Sequence, residues 1–247
     1  MEGIHHYLPH LFELRIRFIR CILAFIIVCI PLIFFSNELY SWVAKPLLAN
    51  LPAGGQLIAT HVISPFSAPL KLALFSALLI CIPYMLYHLW SFIAPALYPK
   101  EKPLIGSVLF SSVMLFYCGM IFAHFAVLPI ALKFFANMAP KGVTVMTDIT
   151  HFLDFALGMY FAFGLAFQVP IVTFLVIRAG ITSVESLKKQ RPYFIVGAFI
   201  IGMLLTPPDV VSQILMALPL LGLFEGGLIL AQCFPGPKTE LMQNDVP

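Results

Sequence analysis

The chain has 247 residues, of which 61% are apolar and only 10% are charged, and its formal net charge is +3. A soluble domain carries about 25% charged residues, so this composition excludes a soluble globular protein, and the small net charge gives no indication of nucleic-acid binding. With a mean hydropathy of +0.99, the chain is predicted to be an all-α integral membrane protein whose outer surface faces lipid.

Six apolar stretches are candidates for membrane-spanning helices. A helix needs about 20 apolar residues to cross a hydrocarbon core of ~30 Å, and the stretches between charged residues supply them. We predict one membrane domain over residues 1–247 with six transmembrane helices. The predicted spans cover approximately residues 18–36, 70–92, 104–132, 152–177, 192–206 and 210–232.

The positions of the basic residues predict the orientation in the membrane. An even number of spans places both termini on one side, and that side carries ten of the 14 Lys and Arg residues. Since loops rich in Lys and Arg stay in the cytoplasm, both termini are predicted to be cytoplasmic. The other face carries the remaining four, Lys45, Lys71, Lys133 and Lys141.

Proline occurs inside five of the six predicted spans, and each proline removes a backbone hydrogen bond and tends to kink a helix. Two interpretations stay open. Membrane helices tolerate proline without consequence, or the prolines bend the bundle into a concave, non-cylindrical shape. The five residues are Pro31, Pro83, Pro129, Pro170 and Pro219.

Residues 37–67 form the longest segment between spans on the outer, periplasmic face. The segment contains Pro46 and its own apolar residues, so we expect a short amphipathic helix that lies on this face as a cap. A second helix, on the cytoplasmic side, is expected to begin at the capping box formed by Thr182 and Glu185.

Spans five and six are predicted to form a short antiparallel hairpin. The fifth span has about 14 residues from Tyr193 to Thr206, or roughly 21 Å of helix, so a thinned bilayer or a sunken helix pair is expected there. The link between the spans fits a helix start in which Thr206 caps, Pro207 takes the first position and Asp209 completes the capping box.

No catalytic motif is recognisable, and we predict neither an enzyme nor a cofactor. His5, His6 and His10 lie close enough along the chain to ligate a metal, but a solvated amino-terminal tail is the preferred interpretation, so no metal site is predicted. His88 and His124 are interpreted as packed neutral imidazoles in preference to proton carriers.

Two polar residues fall within the predicted spans, Gln168 in the fourth and Glu225 in the sixth. Polar groups inside a membrane are costly and usually face protein or water. For Gln168 the alternatives are an interhelical hydrogen bond and a polar patch towards a cavity or partner. For Glu225 one alternative is that the side chain extends to the cytoplasmic headgroups. The other is that it belongs to a polar patch facing a cavity or a partner helix.

Two acids, Glu13 and Glu101, lie nearest the membrane on the predicted cytoplasmic face. A carboxylate among basic residues often just balances their charge. These two would also offer the bidentate partners that a guanidinium-rich ligand needs, with Arg15 and Arg17 holding Glu13 in place before a ligand binds.

Several spaced motifs together resemble the TatC family, the multispanning receptor subunit of the twin-arginine protein translocase. They extend from residue 10 to residue 232, nearly the whole chain. The motifs are HLFELRIR at 10–17, SPF at 64–66, FIAPALY at 92–98, LFY at 115–117, FGLAFQVP at 163–170 and the run 189–209 that ends in LLTPPD.

The resemblance implies a non-enzymatic receptor in the bacterial inner membrane that binds the twin-arginine signal peptides of folded cargo proteins. It implies an oligomeric complex in which single-span TatA and TatB subunits dock along spans five and six and export is driven by the proton-motive force. In the family the position of Gln168 is commonly Glu, so this chain lacks a formal charge there.

The predicted site residues fall into three further groups. The predicted signal-peptide site comprises Glu13, Arg15, Arg17, Phe92 and Glu101. The predicted contacts with partner subunits are Met203, Thr206 and Gln213, and Pro46 and Asp209 belong to the periplasmic cap and turn. The alternative function is a secondary transporter of a small solute, although no inverted repeat supports two matched halves.

Overall fold

The computed structural model describes residues 2–41, 57–97, 102–138, 147–205 and 210–233, and almost all of them are helical. The prediction of an all-α membrane protein is confirmed. Apart from a helical turn at residues 36–41, the helices are α1 (Glu2–Phe34), α2 (Ser64–Leu97), α3 (Lys102–Phe122), α4 (Leu128–Met138), α5 (Ile149–Ala166), α6 (Val169–Arg178), α7 (Val184–Lys189), α8 (Arg191–Leu205) and α9 (Val210–Cys233).

Within the described residues, five helical stretches are long and apolar enough to cross a membrane. They are Phe12–Phe34, Ser64–Phe92, Gly106–Phe134, Ile149–Arg178 and Met216–Cys233, and a shorter apolar helix covers Arg191–Met203. With this shorter helix the count agrees with six predicted spans. The fifth span is short because α8 has 15 residues, about 22 Å at 1.5 Å per residue, whereas α9 has 24.

Two of the five prolines coincide with a change in helix geometry. A π-helical segment, Ala123–Val127, joins α3 to α4 just before Pro129, and a turn at residues 167–168 separates α5 from α6 just before Pro170. Both changes accommodate a residue that cannot donate a backbone hydrogen bond. Pro83 and Pro219 lie within continuous helices.

The chain divides into two compact units, residues 1–113 with 146–153 and residues 114–145 with 154–247. In the first unit α1 packs along α2. Two-residue strands, Leu57–Ile58 (β1) and Thr147–Asp148 (β2), pair in parallel in the same unit, and they are the only strands in the described part of the chain.

Asp148 fastens this small pairing to the start of α5. Its carboxylate accepts hydrogen bonds from the backbone nitrogen of Thr60 at 2.9 Å and from the Thr60 hydroxyl at 2.5 Å. It also accepts from the backbone nitrogens of Thr150 and His151, at 2.8 and 3.1 Å. The Thr60 hydroxyl and the backbone donors together hold the pKa of this carboxyl well below its usual range.

The second unit is built around α9, which packs against α6 and α8. A buried apolar cluster holds α6, α7 and α9 together, and it consists of Ile177, Leu187, Phe224, Leu228 and Ala231. Close helix approach elsewhere in the unit depends on glycine, since a Cβ added at Gly119 would lie 2.6 Å from the carbonyl oxygen of Phe163.

Of the two predicted helix starts, the structure describes only the one of the cytoplasmic-side helix. The cytoplasmic-side helix α7 forms, but its cap is Ser183, whose hydroxyl accepts from the Ser186 nitrogen at 3.1 Å. The prediction of Thr182 as the cap is therefore wrong by one residue. The capping box of Thr206 with Asp209, Pro46 and most of the expected cap helix lie outside the described residues.

Candidate functional site

Arg17 is the centre of a polar network where the N-terminal part of α1 meets the end of α2. Its guanidinium forms an ion pair with Glu13, one helical turn earlier. The Nη1 atom donates to the backbone carbonyl of His88 at 3.1 Å, and the guanidinium carbon lies 6.0 Å from the centre of the Phe92 ring. Three contacts from two helices therefore hold this side chain, and they bring Glu13 and Phe92 to the same place.

A cavity of about 490 Å³ opens beside this network. Its walls combine one carboxylate, two guanidinium groups and aromatic rings, and the Glu13 side chain remains 46% exposed while that of Arg17 is 19% exposed. Glu13 is thus held by an internal cation and still accessible to a ligand. The lining residues are Phe12, Glu13, Ile16, Arg17, Arg20, Tyr87, His88 and Ser91.

Arg15, another predicted member of the signal-peptide site, does not enter this network. Arg15 is exposed on α1, two residues from both Glu13 and Arg17, and residues two apart on a helix do not face each other. Glu101 lies outside the described residues. The assignment of Glu101 to the signal-peptide site together with Glu13 therefore stays a prediction.

His88, predicted only as a packed neutral imidazole, is also a member of this network through its backbone carbonyl. Its side chain is 8% exposed, and its ring packs edge-on against Tyr84 and Tyr87, with centroid distances of 4.5 and 5.4 Å. Its Nε2 atom has no hydrogen-bond partner among the described residues. The sequence could have indicated this position, because His88 is four residues before Phe92 and residues four apart share a helix face.

A second polar contact joins the two helices of the hairpin. Nη2 of Arg191 lies 2.6 Å from Oε2 of Glu225, so Glu225 has a partner on α8 that neither predicted alternative included. The pairing has a sequence signal. Arg191 and Glu225 lie 15 and 16 residues from the two ends of the link at residues 206–209, which makes them neighbours across an antiparallel hairpin.

Met203 and Gln213, two of the three residues predicted to contact partner subunits, lie on the two helices of this hairpin. Met203 is 51% exposed on α8. The Gln213 side-chain nitrogen donates to the carbonyl of Phe199 at 2.8 Å, so this amide already links α9 to α8. Thr206, like Asp209, lies outside the described residues.

Two further polar residues of the spans, Gln168 and His124, lie at irregular points of the helices. Gln168 is buried in the turn between α5 and α6, where it occupies the N-cap position of α6. His124 lies in the π-helical segment, and its Nδ1 is 2.8 Å from the hydroxyl of Tyr160. Within the described residues no three His, Cys, Asp or Glu side chains form a group that would hold a metal.

Comparison with known proteins gives a consistent result along nearly the whole chain. Residues 9–219 match the family described as Sec-independent protein translocase protein (TatC). The TatC protein of Haemophilus influenzae is 51% identical over 233 residues, which cover 94% of this chain and 91% of the relative. The TatC protein of Escherichia coli is 48% identical over 236 residues, with 96% and 92% covered.

The fold also matches that of a solved protein. A structure titled as a crystal structure of the twin arginine translocase receptor TatC superposes with a TM-score of 0.82 at 38% sequence identity. The match covers 91% of this chain and 98% of the solved one.

Proposed function

The chain belongs to the TatC family of Sec-independent protein translocase proteins, and from that premise we propose that it receives twin-arginine signal peptides where α1 meets α2. Membership makes it a component of a protein translocase, and hence a transport protein and not an enzyme. The observation that carries the proposal is the ion pair of Glu13 with Arg17 in the wall of an open cavity.

The proposed recognition depends on the chemistry of the arginine side chain. Each signal arginine offers five N–H donors in a planar fork and stays charged at cellular pH. A carboxylate has about four lone-pair sites, so Glu13 can accept a ligand guanidinium in addition to, or in place of, that of Arg17. Glu101 is proposed as the second carboxylate, and Arg15 as an exposed basic residue that balances the empty site.

The apolar part of the signal peptide would enter the membrane beside the same cavity. Phe12 and Ile16 line the cavity from α1 and are 58% and 50% exposed. They would contact the peptide just beyond its two arginines, while Phe92 supports Arg17 from α2 through a cation–π contact.

We further propose that the α8–α9 hairpin receives the single-span subunits TatA and TatB in an oligomeric complex. Met203, Thr206 and Gln213 are the proposed contacts, because α8 is too short to span a bilayer of ordinary thickness and polar groups near its end would meet a polar residue of a partner helix. The complex would export folded cargo across the bacterial inner membrane at the expense of the proton-motive force, with both termini in the cytoplasm.

The experiment that tests the receptor function measures signal-peptide affinity. A fluorescent twin-arginine signal peptide is titrated against the purified full-length protein in lipid nanodiscs. Charge-assisted hydrogen bonds contribute about 1.5–3 kcal/mol each, so Glu13→Gln is expected to weaken binding roughly 10-fold or more.

The matched control is Glu38→Gln, since Glu38 is an exposed acid in the described helical residues beyond the other end of span one. This variant is expected to bind like the unmodified protein. Equal affinity of the Glu13→Gln variant for peptides with and without the two arginines would support the assignment, whereas unchanged affinity for the twin-arginine peptide would overturn it.

A further inference from the structure

An apolar groove of about 820 Å³ runs along the second unit between α5, α8 and α9. Small residues form much of its surface: Gly158, Ala162 and Ala166 follow one another on α5, and Gly197 and Ala198 line it on α8. Residues four apart lie on one face of a helix, so the groove follows the axis of α5. The small side chains leave room for a long, thin apolar ligand.

The length of the groove corresponds to one leaflet of a bilayer. On α8 the lining extends from Tyr193 to Ile201, a rise of eight residue steps or about 12 Å of helix, whereas half of a hydrocarbon core is about 15 Å. A spanning helix of another subunit would need about twice that length. Leu165 and Ile201 are 49% and 43% exposed, so the groove is accessible from the surrounding lipid.

One end of the groove lies next to the turn between α7 and α8. Tyr193 and Phe194 line that end, and their backbone nitrogens donate to the carbonyl of Gln190 at 3.0 and 3.3 Å. Lys188 and Lys189, the last residues of α7, are exposed. Among the residues that the structure describes, neither lysine has an ion-pair partner, so two positive charges remain available at this rim.

Two acids lie close to these lysines or to the groove lining, Glu225 and Glu185, and neither is paired with Lys188 or Lys189 in the described residues. Glu225 follows the groove residue Phe224 directly, but its carboxylate is paired with Arg191 at 2.6 Å. Glu185 lies three and four residues before the two lysines on α7 and thus on their side of the helix, but in the described part of the chain it forms no ion pair with either of them. This end of the groove therefore carries positive charge next to an apolar surface.

We propose that this groove is a binding site for an anionic phospholipid. One acyl chain lies between α5 and α8, and the phosphate is held by Lys188 and Lys189. Tyr193, which is 78% exposed, lies at the level of the headgroups, where tyrosine is enriched in membrane proteins. Basic residues at the membrane surface attract anionic headgroups in this way, and the site is independent of the one proposed for signal peptides.

The test uses the purified full-length chain in detergent, with phosphatidylglycerol and phosphatidylcholine of the same acyl chains added in parallel. Lipid retained by the protein is counted by native mass spectrometry. The unmodified protein is expected to retain phosphatidylglycerol in preference to phosphatidylcholine. The double variant Lys188→Gln, Lys189→Gln is expected to lose this preference, with phosphatidylglycerol affinity falling roughly 5- to 30-fold, while phosphatidylcholine retention stays unchanged.

A second variant tests whether the lipid occupies the apolar groove itself. No atom lies within 4 Å of a Cβ added at Gly197, so the side chain of Gly197→Leu begins in open space of the groove, and the variant is expected to reduce retention of both lipids. Gly222→Leu is the matched control, because Gly222 also has open space around it, is exposed on α9 and lies outside the groove. Lys133→Gln, an exposed lysine on α4, is the control for the charge change.

Three results would overturn the proposal. Equal retention of the two lipids by the unmodified protein would show that the headgroup charge does not affect binding. An unchanged preference for phosphatidylglycerol in the double lysine variant would show that Lys188 and Lys189 do not bind the phosphate. Unchanged lipid retention in the Gly197→Leu variant would show that no lipid occupies the groove. Reduced copurification of a partner subunit with that same variant would then identify a protein helix as the occupant.

Discussion

Arg191 at the start of α8 and Glu225 on α9 form an ion pair of 2.6 Å whose side chains are 45% and 43% exposed. The pair joins the two helices at the end of the hairpin far from the 206–209 link. Gln213 and Phe199 join them nearer to it, through a hydrogen bond of 2.8 Å. The short fifth span is thus fastened to the sixth at two levels.

The first prediction concerns the stability of this hairpin. Arg191→Gln and Glu225→Gln are each expected to lower the thermal unfolding midpoint in detergent, whereas the exchange Arg191→Glu with Glu225→Arg should recover part of the loss. Because the pair is half exposed, we expect a coupling energy of about 0.2–1 kcal/mol. Glu185→Gln, on exposed α7 surface, is the control. Additive effects of the two single changes would contradict the prediction.

The second prediction concerns Glu101 as the partner of Glu13 in signal recognition. Glu101→Ala is expected to weaken twin-arginine binding roughly 10- to 100-fold, and Glu101→Gln nearly as much, since the amide keeps the shape but not the charge. A twin-lysine peptide should bind the unmodified protein less well, because an ammonium group lacks the planar fork. Unchanged affinity after Glu13→Gln and Glu101→Gln together would exclude this site.

The third prediction is a dependence of stability on pH through Asp148. Hydrogen bonds from Thr60, Thr150 and His151 lower the pKa of this carboxyl in the folded protein. A carboxyl whose pKa is lower in the folded than in the unfolded state stabilises the folded protein at pH values above its unfolded-state pKa, which is about 3.9. This stabilisation is lost progressively as the pH falls from that value towards the folded-state pKa. Asp148→Asn should therefore lower the unfolding midpoint at pH 7.

The same comparison at low pH provides the check. The difference in midpoint between the unmodified protein and the Asp148→Asn variant is expected to shrink as the pH is lowered from 5 to 3. A difference that stays constant over this range would show that the charge of Asp148 is not what stabilises the contact with Thr60.

The fourth prediction contrasts two glycines of α3. A Cβ at Gly119 would lie 2.6 Å from the backbone oxygen of Phe163, whereas one at Gly106 would meet nothing within 4 Å. Gly119→Ala is expected to destabilise by about 1–3 kcal/mol through overpacking, and Gly106→Ala to be neutral or stabilising because alanine favours helix. Unfolding midpoints in detergent measure both, and equal effects would argue against the close approach of α3 and α5.

The fifth prediction tests the orientation that the basic residues indicate. In a background without the five native cysteines, cysteines at Asn50 and Lys141 should react with a membrane-impermeant thiol reagent added to intact cells. Cysteines at Lys100 and Lys188 should react only after the cells are opened. Labelling of the residue-188 position in intact cells would show that the predicted orientation or the number of spans is wrong.

Hydropathy alone was sufficient to predict the helical membrane fold and its number of spans. A hydrocarbon core demands long apolar helices with internally satisfied backbones, so each span is a property of its own stretch of sequence. Spaced motifs were sufficient for the family, because they preserve order along the chain. Glu13 and Arg17 were also predictable as neighbours, since they are four residues apart on one helix.

The contacts between helices depended on the tertiary structure. The carbonyl that Arg17 contacts belongs to His88, 71 residues away, and a backbone acceptor has no signature in the sequence. The hydrogen bond from Thr60 to Asp148 joins residues 88 apart. It lies beside two paired strands of two residues each, which are too short for periodicity to reveal. These contacts form because packing of the helices brings distant segments together, and the local sequence specifies the helices but not the positions at which they meet.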